Sequence, residues 1–219
     1  MSQFEKRTVV VTGAGGALGA GVALAFADAG ADVIAVDRRA PDLPGTSSLA
    51  ADLTDPDAVR ALFDGIDIPW AVIHTVGGFA PHRSLTDLDA AELHLQITLN
   101  LTTSALVTAN ALRVMSKAKA GRIVLTGSRA ATHTAGNGFA YSVSKAAVLH
   151  LARMAAQETA GTGITVNCVA PSIIDTPANR KAMPGADYDA WPKVPELAGH
   201  YLFLADPAHN SMSGNVLDV

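Results

Sequence analysis

The sequence predicts an α/β fold in which about seven parallel strands form one doubly wound sheet with helices on both faces. Short β-branched runs alternate with segments of helical apolar spacing along the whole chain, which is typical of a parallel sheet. The first of these runs leads into a glycine turn and then a helix. With 219 residues, 49% hydrophobic and only 5% aromatic, the chain fits a single domain over residues 1–219 with close helix–sheet packing.

The chain opens on a strand, a glycine-rich turn and a helix. Thr8 to Val11 form a β-branched apolar run that suits a buried parallel strand. Gly13, Gly15, Gly16 and Gly19 follow, and helical spacing begins at Leu18. Glycines let a pyrophosphate approach the backbone, and the helix N-terminus offers unpaired N–H groups and partial positive charge. This order predicts a dinucleotide phosphate site, and a tight turn without a ligand is the alternative.

An acidic residue closes the second predicted strand, which runs from Asp32 to Val36. Asp37 lies 18 positions after Gly19. In a Rossmann dinucleotide-binding fold, an acidic residue about 20 positions beyond the glycine turn receives the ribose hydroxyls of the adenosine. Asp37 is therefore predicted to bind the cofactor, and a solvated charge at a strand end is the alternative.

The remaining pattern continues the alternation of strands and helices. A helix after Asp52 is predicted to begin at Thr54 or Asp55, with Pro56 in its first turn. Thr86 and Asp89 indicate the start of a long helix. The other predicted elements are strands over 49–51, 70–76, 122–126, 164–170 and 216–218 and helices over about 88–117, 139–159 and 196–205. Residues 172–194, rich in Pro, Ala and charge, are predicted to form an irregular substrate lid.

The sharpest chemical motif is Tyr141-Ser-Val-Ser-Lys145. Tyr141 and Lys145 share a helix face at this spacing, and an ammonium beside a phenol is expected to lower the tyrosine pKa from about 10. Ser128 lies 13 residues before Tyr141, where its hydroxyl could bond the same carbonyl oxygen. A Tyr-x-x-x-Lys pair also occurs by chance in helices. Together with the glycine turn and Asp37, the set predicts reversible carbonyl reduction.

These motifs resemble the short-chain dehydrogenase/reductase family over nearly the whole chain. Thr12 to Gly19 is similar to the family's T-G-x-x-x-G-x-G turn, with an alanine in place of the middle glycine. The resemblance implies a hydride transfer between a nicotinamide and a small carbonyl or alcohol. It implies that Tyr141 is the acid/base and that Ser128 orients the substrate oxygen. It also implies that Lys145 holds the nicotinamide ribose and that Asn100 holds a water of the proton relay, with a buried amide at a helix irregularity as the other interpretation of Asn100.

The resemblance further implies a cofactor site spread over several loops. Asp52 either contacts the adenine amine or supports the next helix cap. His74 to Gly77 stand where the family usually has Asn-Asn-Ala-Gly, and Ser172 replaces the glycine of Pro-Gly-x-Val-x-Thr. In that segment the backbone of Ile174 and the hydroxyl of Thr176 are expected to bind the carboxamide. The predicted cofactor residues are Thr12, Gly13, Gly15, Gly16, Ala17, Leu18, Gly19, Asp37, Arg38, Asp52, Leu53, Val76, Gly77, Gly78, Tyr141, Lys145, Pro171, Ile174 and Thr176.

Charge around the second strand bears on the choice of cofactor. Asp37 would repel the 2′-phosphate of NADP, whereas Arg38 or Arg39 could pair with it. Because the strand fixes Asp37 and the arginines can swing to solvent, NAD is the predicted cofactor, with NADP possible.

Two other functions are compatible with the same sequence. Asp175 to Trp191, with the glycine turn and Gly77-Gly78, is similar to the dihydropteridine reductase branch of the family, which reduces quinonoid pterins with NADH. A protein that only senses dinucleotides would keep the fold without turnover. Retention of Asn100, Ser128 and the Tyr141–Lys145 pair disfavours the sensor, which needs no proton donor.

Composition argues against several other classes of partner. The net charge of −4 gives no basic footprint for nucleic acid. The single cysteine, Cys168, excludes an internal disulfide and fits a reducing cytosol. No apolar run approaches 18 residues and no signal-peptide core follows the first methionine, so a cytoplasmic protein without a membrane span is expected. The seven histidines show no metal-ligand spacing, and no metal is expected.

The resemblance also implies a homo-oligomer, a tetramer or a dimer, in which the two long helices pair across a two-fold axis. Packing within one subunit is the alternative explanation for the small residues on these helices. The residues that suggest pairing are Ala105, Thr108, Ala109, Ala146, Ala147 and Leu149.

Overall fold

The computed structural model describes residues 3–79, 84–133 and 138–219. Its seven strands form one sheet with the order β3-β2-β1-β4-β5-β6-β7, and every neighbouring pair is parallel. The strands are β1 (Thr8–Thr12), β2 (Asp32–Asp37), β3 (Thr46–Ala50), β4 (Ala71–His74), β5 (Gly121–Thr126), β6 (Ile164–Ala170) and β7 (Val216–Asp218). The predicted doubly wound sheet is confirmed, with β3 longer and β4 shorter than expected.

Helices cover both faces of this sheet. They are α1 (Ala17–Asp28), α2 (Pro56–Asp64), α3 (Ala90–Gln96), α4 (Thr103–Ala118), α5 (Phe139–Glu158), α6 (Pro177–Ala182) and α7 (Val194–Ala205). Asp55 caps α2 by accepting a hydrogen bond from the Asp57 N–H at 2.9 Å, and Pro56 is the first helical residue, as predicted.

Two predicted segments differ from the structure. The single helix expected over 88–117 is interrupted, because a π-helical segment over Ile97–Thr102 separates α3 from α4. The segment 172–194, predicted to be irregular, contains α6 and a short 3₁₀ turn at Tyr188–Ala190. Proline at the first position and a Thr176 cap allow α6 to form.

Alternate side chains of β1 pack against the helices on opposite faces of the sheet. Val10 belongs to a buried apolar cluster with residues of α2, α4 and α5. Val9 and Val11 point to the opposite face and belong to a cluster with residues of α1 and α7. All three are fully buried, which explains why a β-branched run without polar alternation forms this central strand.

The strand order reverses at β1, which lies between β2 and β4. Thr12 at the end of β1 is paired in register with Val36 on one side and His74 on the other. On the other side of β4 lies β5, which ends at Thr126 at the same edge of the sheet. In an open parallel sheet, ligands bind outside the carboxyl ends of the strands at such a switch point, so the sheet directs the polar residues of interest to one edge.

Candidate active site

The glycine turn after β1 is folded tightly upon itself. Gly13 has a φ of 80°, and its carbonyl accepts a hydrogen bond from the Gly16 N–H at 3.0 Å. A Cβ on Gly19 would lie 2.2 Å from that same carbonyl oxygen, so only glycine fits there. Gly16 caps α1 without any side-chain hydrogen bond, which leaves N–H groups of the first turn, at Ala17 and Leu18, open to an anion.

Asp37 is held beside this turn. Its carboxylate accepts hydrogen bonds from the Gly15 N–H at 3.0 Å and from the Arg38 N–H at 2.7 Å. A Cβ on Gly15 would lie 3.0 Å from the same carboxylate. The glycine therefore allows the carboxylate to approach the turn, and the backbone fixes its position.

A cleft of about 260 Å³ opens at this edge of the sheet. Its walls include eight of the predicted cofactor residues and five that the sequence interpretation did not include. The predicted residues are Gly13, Gly16, Asp37, Arg38, Asp52, Leu53, Val76 and Gly77, and the others are Ala51, Thr54, Thr75, Leu99 and Thr103. The glycine turn after β1, the free N-terminus of α1 and the Asp37 carboxylate together fit a dinucleotide. The other eleven predicted cofactor residues do not line this cleft, namely Thr12, Gly15, Ala17, Leu18, Gly19, Gly78, Tyr141, Lys145, Pro171, Ile174 and Thr176.

Asp52 supports the start of the next helix, and its predicted contact with adenine stays a prediction. The side chain lines the cleft, and its Oδ1 accepts hydrogen bonds from the Thr54 N–H at 2.9 Å and the Thr54 hydroxyl at 2.7 Å. These bonds lower the pKa of Asp52 below its usual value. The carboxylate thus stabilises the turn that leads to the cap at Asp55, while remaining exposed to the cleft.

Lys145 and Asn100 meet at the backbone of the loop after β4. Both side chains are buried, and Lys145 Nζ donates a hydrogen bond to the Thr126 carbonyl at 2.8 Å. A Cβ on Gly77 would lie 2.9 Å from Lys145 Nζ and 2.8 Å from Asn100 Oδ1. Gly77 is therefore required for this close approach. Burial lowers the pKa of Lys145 to about 8.

Tyr141 differs from the expectation in one respect. Burial raises its pKa above 10, and a side-chain hydrogen bond with Ser128 acts in the opposite direction. The expectation that Lys145 lowers this pKa is wrong for this structure, where the ammonium is bonded to Thr126 and burial of the phenol dominates. Ser128 Oγ also accepts a hydrogen bond from the Ala130 N–H at 3.2 Å, which fixes the residue at the end of β5.

Asn100 lies in the π-helical segment and is fully buried. Its Oδ1 accepts from the Gly78 N–H at 3.0 Å, and its Nδ2 donates to the Gly78 carbonyl at 3.1 Å. The same Nδ2 lies 3.0 Å from Gln96 Oε1 and 2.9 Å from Ser144 Oγ. Asn100 is thus a buried amide at a helix irregularity, as one of the two interpretations stated, and it fixes the backbone next to Lys145.

His74 is the main residue of this region that sequence reasoning did not identify. It is fully buried, with Nδ1 2.8 Å from Thr12 Oγ1 and Nε2 3.2 Å from Thr103 Oγ1. The Thr103 hydroxyl donates to the Leu99 carbonyl at 2.7 Å, so it accepts from Nε2–H, and Nδ1 accepts from Thr12. Burial lowers the pKa of His74 to about 3. Its position at the end of a buried strand was the feature of the sequence that could have predicted a buried histidine here.

Asp175 joins several parts of the segment 172–194. Its carboxylate accepts hydrogen bonds from Arg180 Nε at 2.6 Å and from Lys193 Nζ at 2.8 Å, and these partners hold its pKa well below the usual range. Lys193 also donates to the Tyr188 carbonyl at 2.6 Å. Thr176, predicted to bind a carboxamide, accepts a hydrogen bond from the Asn179 N–H at 3.2 Å and caps α6.

Metal-ligating groups and long apolar helices can be assessed for the part of the chain that the structure describes. Within it, no three His, Cys, Asp or Glu residues are grouped so that they could hold a metal ion. None of the helices described there is long and apolar enough to cross a membrane. His82 lies outside the described residues.

The fold and this cleft define an NAD(P)-dependent oxidoreductase. The sequence profile described as short chain dehydrogenase matches residues 7–187, so the chain belongs to the short-chain dehydrogenase/reductase family. This result confirms the family predicted from the motifs.

Curated relatives cover nearly the whole chain. Cis-4-hydroxycyclohexanecarboxylate dehydrogenase of Sinomonas cyclohexanicum is 34% identical, covering 99% of this chain and 96% of the relative. The 3-oxoacyl-[acyl-carrier-protein] reductase MabA of Mycobacterium tuberculosis is 30% identical, covering 99% of this chain and 92% of the relative.

Solved structures agree with the fold. Aldohexose dehydrogenase of Thermoplasma acidophilum in ligand-free form superposes with a TM-score of 0.90 at 26% identity, covering 100% of this chain and 94% of that one. ElxO with NADP bound superposes with a TM-score of 0.91 at 25% identity, covering 98% and 97% of the two chains.

The buried His74 makes stability depend on pH. Because the pKa of the imidazole is lower in the folded protein than in the unfolded chain, the unfolded state binds more protons below about pH 6.5. The free energy of unfolding should therefore fall as the pH drops from 6.5 to 5, by up to about 1.4 kcal/mol per pH unit. Denaturant titrations at several pH values measure this slope.

Two substitutions make the measurement specific. His74→Gln should lower stability and flatten the slope, because it removes the titrating ring. His150→Gln, at an exposed histidine of α5, should keep the slope of the original protein. An unchanged slope in His74→Gln would contradict the assignment.

Proposed function

We propose that this protein transfers a hydride between NAD(H) and a small ketone or secondary alcohol, with Tyr141 as the acid/base. The observation that carries the proposal is the placement of a half-buried tyrosine beside the Ser128 side chain and one helical turn from Lys145, whose ammonium lies beside the cleft at Gly77. A proton donor, an orienting hydroxyl and a dinucleotide cleft are the parts that carbonyl reduction needs.

The site residues would act in a fixed order during reduction. When bound, the nicotinamide supplies the hydride that is added to the carbonyl carbon. Ser128 orients the carbonyl oxygen, and the Tyr141 hydroxyl donates its proton to that oxygen, which yields the alcohol. Lys145, fixed by the Thr126 carbonyl, would hold the ribose. Asn100 keeps the neighbouring backbone in place.

The cleft supports the cofactor positions expected from the sequence. The turn from Gly13 to Gly19 would hold the pyrophosphate, and Asp37 the adenosine ribose. The Asp37 carboxylate is fixed by two backbone N–H groups, so it cannot turn away from a 2′-phosphate, and like charges would repel. This favours NADH over NADPH. Arg38, which also lines the cleft, makes the preference a moderate one.

The relatives support a ketone or secondary alcohol as the substrate. One is named for reduction of a 3-oxoacyl group and another for dehydrogenation of a ring-borne hydroxyl. Quinonoid pterin reduction remains a second candidate because the lid from Asp175 to Trp191 has the similarity described above. A ketone panel that includes a quinonoid dihydropterin separates the two.

Exposed apolar side chains on two helices support the proposed homo-oligomer. Leu95 on α3 and Val143 and Met154 on α5 are 51%, 41% and 58% exposed. Two of the residues that suggested pairing, Thr108 and Leu149, are buried within the chain, so they pack the subunit itself. The exposed set favours self-association through α3 and α5, and a tetramer is the assembly we propose.

Tyr141→Phe should lower kcat by at least about 10²-fold, because it removes the proton donor while keeping the ring. Binding of NADH, measured by its fluorescence, should change little, and the melting temperature should stay close to that of the original protein. Steady-state kinetics on the best ketone of the panel measure the effect. Near-normal turnover would contradict the role of this tyrosine.

Asp37→Ser should shift the ratio of kcat/KM values toward NADPH by about tenfold or more, because the repelling carboxylate is replaced by a hydroxyl. The matched control is Asp42→Ser, which makes the same change of charge at an exposed loop residue and should leave the ratio unchanged. If the original protein already prefers NADPH, attraction of the 2′-phosphate by Arg38 outweighs its repulsion by Asp37, and the proposed preference is wrong.

Multi-angle light scattering at micromolar concentration should give a mass of more than one chain. Met154→Asp places a charge on the exposed face of α5 and should lower that mass. Ile68→Asp, at a residue that is 42% exposed outside these helices, should leave it unchanged. A monomeric mass for the original protein would rule out the oligomer.

A further inference from the structure

Phe79 is an exposed aromatic side chain next to Tyr141. Its ring centroid lies 5.2 Å from that of Tyr141, with the two planes at 75°. It is nevertheless 62% exposed, whereas Phe4, Phe26 and Phe63 are at most 1% exposed. A large apolar ring that contacts the acid/base and still faces solvent offers an apolar surface for a bound molecule.

The backbone that carries Phe79 is fixed by buried groups. Both the N–H and the carbonyl of Gly78 are hydrogen-bonded to the Asn100 amide, at 3.0 and 3.1 Å. A Cβ on Gly78 would lie 2.9 Å from Leu99 Cδ1, so the loop packs closely against the π-helical segment. Phe79 therefore starts from an anchored peptide, and its place beside Tyr141 is a property of the fold.

A second exposed apolar residue follows the strand next to Ser128. The Arg129 N–H donates a hydrogen bond to the Pro171 carbonyl at 3.0 Å, which joins the segment after β6 to the end of β5. Ile173, two residues beyond Pro171, is 44% exposed. Apolar surface is thus available both next to Tyr141 and in the segment joined to the Ser128 loop.

We infer that Phe79 selects substrates whose carbonyl carbon belongs to an apolar ring or bears one, either alicyclic or aryl. This inference rests on the proposed role of Tyr141 as the acid/base. A ring placed beside the reacting oxygen gains contact area against Phe79. A hydroxylated or charged substituent at the same position would lose water without finding a hydrogen-bonding partner on the phenyl ring. We therefore expect kcat/KM for a ring substrate to exceed that for a hydroxylated or charged one by about 10 to 200-fold.

The test compares ring ketones with a small polar ketone, using NADH. Cyclohexanone and acetophenone represent the predicted class, and hydroxyacetone represents the excluded one. The original protein should favour the ring ketones. Phe79→Ala should lower kcat/KM for both of them by about 10 to 100-fold, leave hydroxyacetone within about twofold, and leave the KM for NADH unchanged.

Two further variants test whether the effect comes from the Phe79 ring itself or from a general loss of structure. Phe79→Leu keeps an apolar side chain and should retain an intermediate activity on the ring ketones. Phe203→Ala removes an aromatic ring that is 42% exposed on α7, and should leave all three activities unchanged. An equal loss on all three ketones in Phe79→Ala would show that the ring only packs against Tyr141 and would overturn the inference. A preference of the original protein for hydroxyacetone would do the same.

Binding measurements distinguish this inference from the proposed reaction. Calorimetry of cyclohexanol binding to the protein with NAD should detect a complex that Phe79→Ala weakens by about tenfold or more. If no ketone or alcohol is turned over and this difference in binding persists, the proposed reaction fails and the ring-binding surface stands. If Phe79→Ala binds cyclohexanol as well as the original protein does, the inference fails.

Discussion

The buried amide of Asn100 is the interaction on which the rest of the site depends. It pairs with both backbone groups of Gly78 and also contacts Gln96 and Ser144, so it joins the loop after β4 to α3 and α5. An unpaired buried amide would cost about 1–3 kcal/mol for each group left unsatisfied. The π-helical segment over Ile97–Thr102 is the backbone irregularity that accommodates this amide.

A second buried chain of hydrogen bonds connects the same segment to the glycine turn. Thr12 at the end of β1 bonds His74, His74 bonds Thr103, and Thr103 bonds the Leu99 carbonyl. The imidazole of His74 spans the two threonine hydroxyls, accepting from one and donating to the other. Its low pKa keeps it neutral, so the connection adds no charge beneath the cleft.

Burial also sets the electrostatics of the two residues nearest the proposed chemistry. It raises the pKa of Tyr141 and lowers that of Lys145 to about 8, so both side chains are driven toward their neutral forms. The Ser128 hydrogen bond opposes this effect at the tyrosine. An environment of this kind favours a group that donates its proton to a substrate oxygen over one that rests as a phenolate.

The sequence by itself determined the sheet, the order of strands and helices, the glycine turn and the spacing of Tyr141 and Lys145, because each is a local pattern of a few neighbouring residues. The tertiary structure alone decided features that depend on distant partners. The sequence offered a helix irregularity at Asn100 only as one of two interpretations, and the contact of Asn100 with Gly78 decided in favour of the π-helical break. The sign of the Tyr141 pKa shift followed from burial, and Phe79 gained its place from contacts that no spacing along the chain encodes.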